Sequence, residues 1–337
     1  MYKEQLLNAP DSFDDIRAAV RRRFGDAAHL DNIVVPTLGG SSRTVAFDVV
    51  EGAARRRLVS RQETYVAPNS PFLPPDDQFR LLQVAFAHRI PVPEPIFAYD
   101  AADGAGHGFV TAFVGGETMP NRILGDAAFA DIRPRLAAQA GAIFAALHAI
   151  DPAEVAFLAR YADSDDPLAA QRARLDSYDE AHPAIELGLR WLELHRPPAG
   201  PRRFLHGDLR TGNIIVGPDG IAAVLDWECS HLGASDEDLG WLCTRSWRFG
   251  RIALPVGGFG SRGDLFAAYE AAGGARIDPD AVRYWEIFGL VRWAILNVMQ
   301  AHGHVFGGRR SMGFAACGRN TSTIEYDLLM TLEGRYD

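Results

Sequence analysis

Apolar positions change their period partway along this chain. Up to about residue 115 they come in short runs, at 33–36, 45–50, 57–61 and 108–114, set apart by Gly-, Pro- and Asp-rich stretches. Short runs with such punctuation predict strands. One helix interrupts them, beginning near Asp76 and broken by Pro91, Pro93 and Pro95, after which a further strand follows. Beyond residue 115 apolar residues recur at helical spacing over long spans. Helices are expected at 126–150, once or twice within 167–194, and at 265–272, 281–302 and 321–332. Trp191, Leu194, Trp285, Phe288 and Trp293 read as core residues of this part.

One stretch of the later part departs from the helical period. Residues 213–216 and 221–225 are two apolar runs around Gly217-Pro218-Asp219-Gly220, a strong turn signal, and predict a hairpin. Pairing Val216 with Ile221 places Asn213 near Val224, so Asn213 and Asp226 share the open end. Asp208 lies in the loop feeding the first strand, which Gly207 and Gly212 allow to bend tightly. Three oxygen-bearing side chains at one point suit Mg²⁺ and a phosphate chain. Mg²⁺ takes hard oxygen ligands and keeps waters, so Asn213 and Asp226 with substrate phosphates suffice. Asp208 would hold an acceptor hydroxyl and take its proton. The order Asp-x4-Asn, then Asp after a hairpin, follows the general template of kinase catalytic loops.

Composition narrows the classes. The chain has 337 residues, 47% hydrophobic and 23% charged, enough for one large domain or two lobes with an ample core. A net charge of −9 argues against a nucleic-acid partner, whose phosphates call for a basic excess. Cys229, Cys243 and Cys317 are odd in number and form no Cys-x-x-Cys pair, as free thiols of a reducing compartment would. The N-terminus lacks the layout of a signal peptide, and no apolar run is long enough to span a bilayer. A cytoplasmic protein without a membrane partner is expected, as monomer or homodimer.

The segment His206-Gly207-Asp208 through Asn213, the hairpin, and Asp226-Trp227-Glu228 together resemble the aminoglycoside phosphotransferase and choline kinase superfamily. The resemblance is dense over 204–250 and weaker over nearly the whole chain. More narrowly, it is similar to a bacterial phosphotransferase branch and to the kinase-like region of some acyl-CoA dehydrogenase fusion proteins. The resemblance implies an α+β, bilobal, protein-kinase-like fold. Residues 1–115 would form a small, mostly antiparallel β lobe and 116–337 a larger, mainly helical one. ATP would bind between them, with Mg²⁺, and a small-molecule hydroxyl would accept the phosphate. By the same resemblance Asp208 is the catalytic base, with Arg210 beside it, and Asn213 and Asp226 are metal ligands.

Lys3 is the only lysine, although kinases of this fold hold the α- and β-phosphates with a strand Lys paired to a helix Glu. The resemblance maps that position to Arg61, which grips phosphate bidentately. It also aligns the helix Glu with Gln78, which can hydrogen-bond but not neutralise Arg61, with Asp77 or Glu63 as possible substitutes. The turn carrying Gly40, Ser41 and Ser42 either drapes backbone N–H groups over phosphates or is a plain hairpin turn. By the resemblance, backbone groups near Ala112 to Val114, those of Phe113 and Val114 among them, would meet the adenine edge.

Several neighbouring residues have two readings. His206 supports the loop or transfers protons, and His148 packs or caps a helix end or takes a catalytic part. Arg210 neutralises transferred phosphate or pairs with Asp236 or Asp238, and those acids brace the loop or bind a cationic acceptor. Trp247 and Arg248 line an acceptor pocket or pack. Three function classes follow: a small-molecule kinase, a nucleotide-binding pseudokinase favoured by the missing Lys and by Gln78, and a metal-dependent hydrolase. The last lacks any His-x-x-x-His or dense carboxylate cluster.

Overall fold

Val45, Phe47 and Val49 alternate along a ten-residue run, and each is at most 3% exposed, which places the run at the centre of a sheet. The structure, a computed structural model, describes residues 13–36, 42–64, 70–307 and 310–336. The run is β2 (Ser42–Glu51), between β1 (His29–Val34) and β3 (Ala54–Glu63). With β4 (Pro95–Ala98) and β5 (Gly108–Ala112) they form an antiparallel sheet of order β1-β2-β3-β5-β4. Helix α1 (Asp14–Phe24) contributes Ile16, Ala19 and Val20 to the same core. That spacing is legible in the sequence, with Asp14 and Asp15 in the first turn and Arg21 to Arg23 in the last complementing the helix dipole. The strand expected at 45–50 is longer than its apolar run. Ser42, expected in the turn, is its first residue, paired with Glu63. Gly40 and Ser41 lie outside the described residues.

The chain divides into two compact units. One takes in Met1–Val66, Pro74–Arg80 and Pro93–Phe113; the other, Ala67–Leu73, Leu81–Val92 and Val114–Asp337. Helix α2 (Pro75–Ala87) begins in the first and ends in the second. The second unit is mainly helical. Its helices are α3 (Pro120–Gly125), α4 (Leu136–His148), α5 (Ala162–Asp165), α6 (Pro167–Asp176), α7 (Pro183–Leu194), α8 (Ser235–Cys243), α9 (Arg262–Ala271), α10 (Pro279–Val305) and α11 (Met312–Leu332). Ile185, Leu189 and Leu192 of α7 pack with Trp285, Phe288, Val291 and Ile295 of α10 and Ile324 and Leu328 of α11. Leu194, expected in this core, is 65% exposed, because the buried stripe of α7 ends at Leu192; Trp191 packs against it. The helix expected at 126–150 is broken. Short 3₁₀ turns at Ala127–Phe129 and Arg133–Arg135 precede α4, where Pro134 withholds a helical N–H. Among the described residues no single helix is long and apolar enough to cross a membrane.

Two small ribbons sit in this unit. β6 (Arg203–Leu205) pairs antiparallel with β9 (His231–Gly233), and β7 (Ile214–Gly217) with β8 (Gly220–Val224). Gln139 of α4 clamps the turn of the second ribbon. Its Nε2 donates to Asp219 O (2.8 Å) and its Oε1 accepts from Ile221 N (2.9 Å).

Candidate active site

The β7–β8 hairpin carries a bulge. Val216 pairs with Ile221 as expected, but Ile215 pairs with Ala223 and Ile214 with Val224, leaving Ala222 as the extra residue. Asn213 is therefore opposite Leu225, not Val224; Leu225 N donates to Asn213 O at 2.8 Å. The shift brings Asn213 one step closer in register to Asp226. Asp226 has φ 61° and ψ 66°, a left-handed conformation uncommon outside glycine and kept only where surrounding structure demands it. Buried Trp227 follows, packed on Phe204 and His206, and fixes the chain beyond this turn.

The loop from β6 to β7 is held from beneath. His206 is fully buried. Its Nδ1 accepts from Asp208 N (3.1 Å), so its Nε2–H donates to Leu225 O (3.0 Å). Burial lowers its pKa against the pull of Asp238 and other carboxylates, which favours the neutral ring those partners require. Gly207 has φ +74°, and a Cβ there would collide with the Cys229 carbonyl oxygen. Asp238 of α8, itself buried, accepts from two successive backbone amides, His206 N (2.9 Å) and Gly207 N (2.8 Å). It also accepts from His148 Nε2 (3.1 Å), whose Nδ1 meets the Tyr269 hydroxyl (3.0 Å). Burial pushes the Asp238 carboxyl up, but His148 and the Gly207 amide outweigh it and hold it below the usual carboxylate range. Asp238 thus braces the loop, and His148 supports it from the end of α4.

Above this base sits the Asp208 carboxylate, its side chain 15% exposed. Asn213 Nδ2 donates to Asp208 Oδ2 (2.6 Å) and Asp208 O (2.8 Å). Trp241 Nε1 and Arg210 Nε donate to Oδ1 at 3.0 and 3.2 Å. Arg210 therefore pairs with Asp208 itself rather than with Asp236 or Asp238. Its guanidinium lies 4.7 Å from the Trp247 ring centroid, and Trp247 packs between Trp241 and Trp293. The Trp241 contact gives no sequence signal, since the residues lie 33 apart.

Asn213 Nδ2 is directed at Asp208, so the atom of this side chain that could meet a cation is its amide oxygen. Among the described residues no group of three or more His, Cys, Asp or Glu side chains could hold a metal ion. Among these residues an all-protein cage is thus absent; one amide oxygen and one carboxylate, as Asn213 and Asp226 would offer, completed by phosphate oxygens, is a pattern Mg²⁺ tolerates.

The other expected site residues belong elsewhere in the chain. Arg61 lies on β3 opposite Thr44, half-buried, and its Nε donates to Ser42 Oγ (3.0 Å). Gln78, on α2, is 5% exposed. At the end of β5 the N–H groups of Ala112 and Phe113 are taken by Glu94 O (2.9 Å) and Arg57 O (3.0 Å). The Phe113 N–H is thus engaged by β3 and is not open to the adenine edge expected there.

This fold and loop define a phosphotransferase of the protein-kinase-like class. The chain belongs to the phosphotransferase enzyme family, whose model matches residues 34–285. A candidate aminoglycoside phosphotransferase from Ralstonia eutropha superposes with a TM-score of 0.71 at 20% identity, covering 96% of this chain and 98% of that one. A spectinomycin phosphotransferase solved with ADP and spectinomycin gives 0.63 at 11% identity, covering 95% and 99%. At these identities the likeness concerns the fold. Mouse (Mus musculus) acyl-CoA dehydrogenase family member 10 is 41% identical over 63 residues, 18% of this chain; the match spans 6% of that much longer protein.

Proposed function

We propose that the protein transfers the γ-phosphoryl group of MgATP to a hydroxyl of a small molecule. The observation that carries this reading is the Asp208 carboxylate, held by Asn213, Trp241 and Arg210 at the open end of the hairpin that ends in Asp226. Asp208 would accept the acceptor's hydroxyl proton as the new O–P bond forms and the bond to the departing ADP oxygen breaks. Its three donors fix which oxygen lone pair faces the acceptor, so the contribution is mainly orientation. Asn213 and Asp226 would hold Mg²⁺, which supplies neutralising charge to the phosphates when bound. Arg210 is close enough to Asp208 to offset charge on the transferring group. Arg61 would grip the α- and β-phosphates in place of the lysine the chain lacks. ADP in the spectinomycin phosphotransferase structure supports a nucleotide donor.

The test is a screen of hydroxylated compounds, including aminoglycosides, choline and sugars, for ATP-dependent phosphorylation. Transfer to any of them at useful rates supports the reading. Tight MgATP binding with no acceptor phosphorylated would replace it with a nucleotide-binding module.

A further inference from the structure

Arg292 is a buried cation that the mechanism above leaves without a task. Arg292, in the middle of α10, is 6% exposed. Burying a guanidinium is costly unless its environment compensates. Its Nη1 donates to the Gly207 carbonyl at 2.7 Å, and its guanidinium carbon lies 4.8 Å from the Trp241 ring centroid. Both partners bear on Asp208. Gly207 is the residue before it in the chain, and the Trp241 indole N–H donates to its Oδ1. The N–H side of the Gly207–Asp208 peptide is already fixed, because Asp208 N donates to His206 Nδ1, so Arg292 completes the clamp on that peptide from its carbonyl side.

The geometry points to Arg292 as a positioning residue for the Asp208 carboxylate, acting through the Gly207 carbonyl and the Trp241 ring. A cation over the indole face holds the ring in one orientation and polarises its N–H toward the carboxylate. The hydrogen bond to Gly207 O resists rotation of the peptide from which Asp208 departs. Surrounding groups keep Arg292 charged. Burial lowers its pKa, but the Asp163, Glu237 and Asp208 carboxylates outweigh burial and raise it. His231 and Arg174 also carry charge in this cluster, each paired with a carboxylate, Glu237 and Asp163 respectively. A lysine at 292 would keep the charge but not the planar reach to both partners.

This inference rests on Asp208 being the base, so the test separates the two. Full-length wild type, Arg292→Lys, Arg292→Met, Trp241→Phe and Asp208→Ala are compared by acceptor phosphorylation, MgATP affinity and the indole N–H region of a ¹H–¹⁵N spectrum. The chain has six tryptophans, and Trp241→Phe assigns the resonance of interest. Arg292→Lys is expected to lower kcat roughly 10- to 100-fold with little change in KM for ATP, the cost of a displaced reacting group. It should also shift the Trp241 N–H signal. Adding Trp241→Phe to Arg292→Lys should lower kcat by less than the product of the single effects. An unmoved Trp241 resonance with unchanged kcat in Arg292→Lys overturns the inference while leaving the base intact. Turnover retained in Asp208→Ala instead overturns the base reading itself. Where Arg292→Met does not fold, Arg292→Lys carries the test alone.

Discussion

The loop around Asp208 and the strand pair around Arg61 are held in different ways. Beneath Asp208, the buried side chains of His206, Asp238 and His148 each meet specific partners, and the backbone bends at a glycine that admits no Cβ. Arg61, by contrast, is half-buried on a regular strand, with a side-chain hydrogen bond to Ser42. A loop that must aim a carboxylate needs many constraints, because each missing one releases a rotation. Under the proposed function, a strand cation that would meet a flexible phosphate chain needs charge and reach, which a sheet supplies. The two regions should therefore fail differently when altered: the loop in turnover, the strand in nucleotide affinity.

The largest expected effect is at the loop. Asp208→Ala should lower kcat by about 10³-fold or more while MgATP binding stays within a few-fold, as checked by steady-state kinetics and calorimetry. Turnover within a few-fold of wild type would erase the contrast. Asp238→Ala comes next. It strands the buried His206 and Gly207 amides and should cost on the order of 3 kcal/mol in stability, read by denaturant unfolding, with kcat falling in parallel. A variant of normal stability and rate would show the loop to be self-supporting. Arg61→Ala should act on the other side of the comparison, raising KM for ATP roughly tenfold with a smaller change in kcat. A KM unchanged by the substitution would assign phosphate binding to another group.

The smallest effect sharpens the electrostatics behind the loop. Burial alone would lower the pKa of His231, but Glu237, with its carboxylate oxygen 3.1 Å from Nε2, outweighs it and raises the imidazole to about 9. The contact is an ion pair without hydrogen-bond alignment, since Nε2 has no aligned partner. A folded-state pKa above the ordinary value of 6.5 means that the native state binds the proton more tightly than the unfolded chain. The pair's contribution is thus fully present below about pH 6.5 and is lost as pH rises through about 9. Unfolding free energies measured across that window should fall more steeply in wild type than in His231→Gln. Parallel curves would show that His231 does not carry this charge.

Much of the site could be read from the chain, because its parts are local. Asp208, Asn213 and Asp226 lie within nineteen positions, and a Gly-Pro-Asp-Gly turn returns the strand. The bulge at Ala222 could not be read, since a slip of one residue leaves the same apolar pattern. The pairing of Arg210 was missed for a different reason. Its nearest acid in sequence is also its partner, but candidates farther along the chain were equally eligible by charge. In the fold, α1 was legible and overlooked, whereas the break before α4 was marked by Pro134 inside an otherwise convincing helical pattern.

Local patterning specified the strands, most of the helices and the hairpin that brings an amide and two carboxylates to one end, because neighbours in sequence decide backbone preference and short turns. It did not specify what holds those groups in place. Beside the local donors Asn213 and Arg210, the supports of Asp208 come from Trp241, 33 positions away, and from Arg292, whose Gly207 partner lies 85 positions back; His148 reaches Asp238 over 90. Contacts at such separations form only when helices and ribbons pack into one core, where burial raises the cost of leaving any of these groups unpaired.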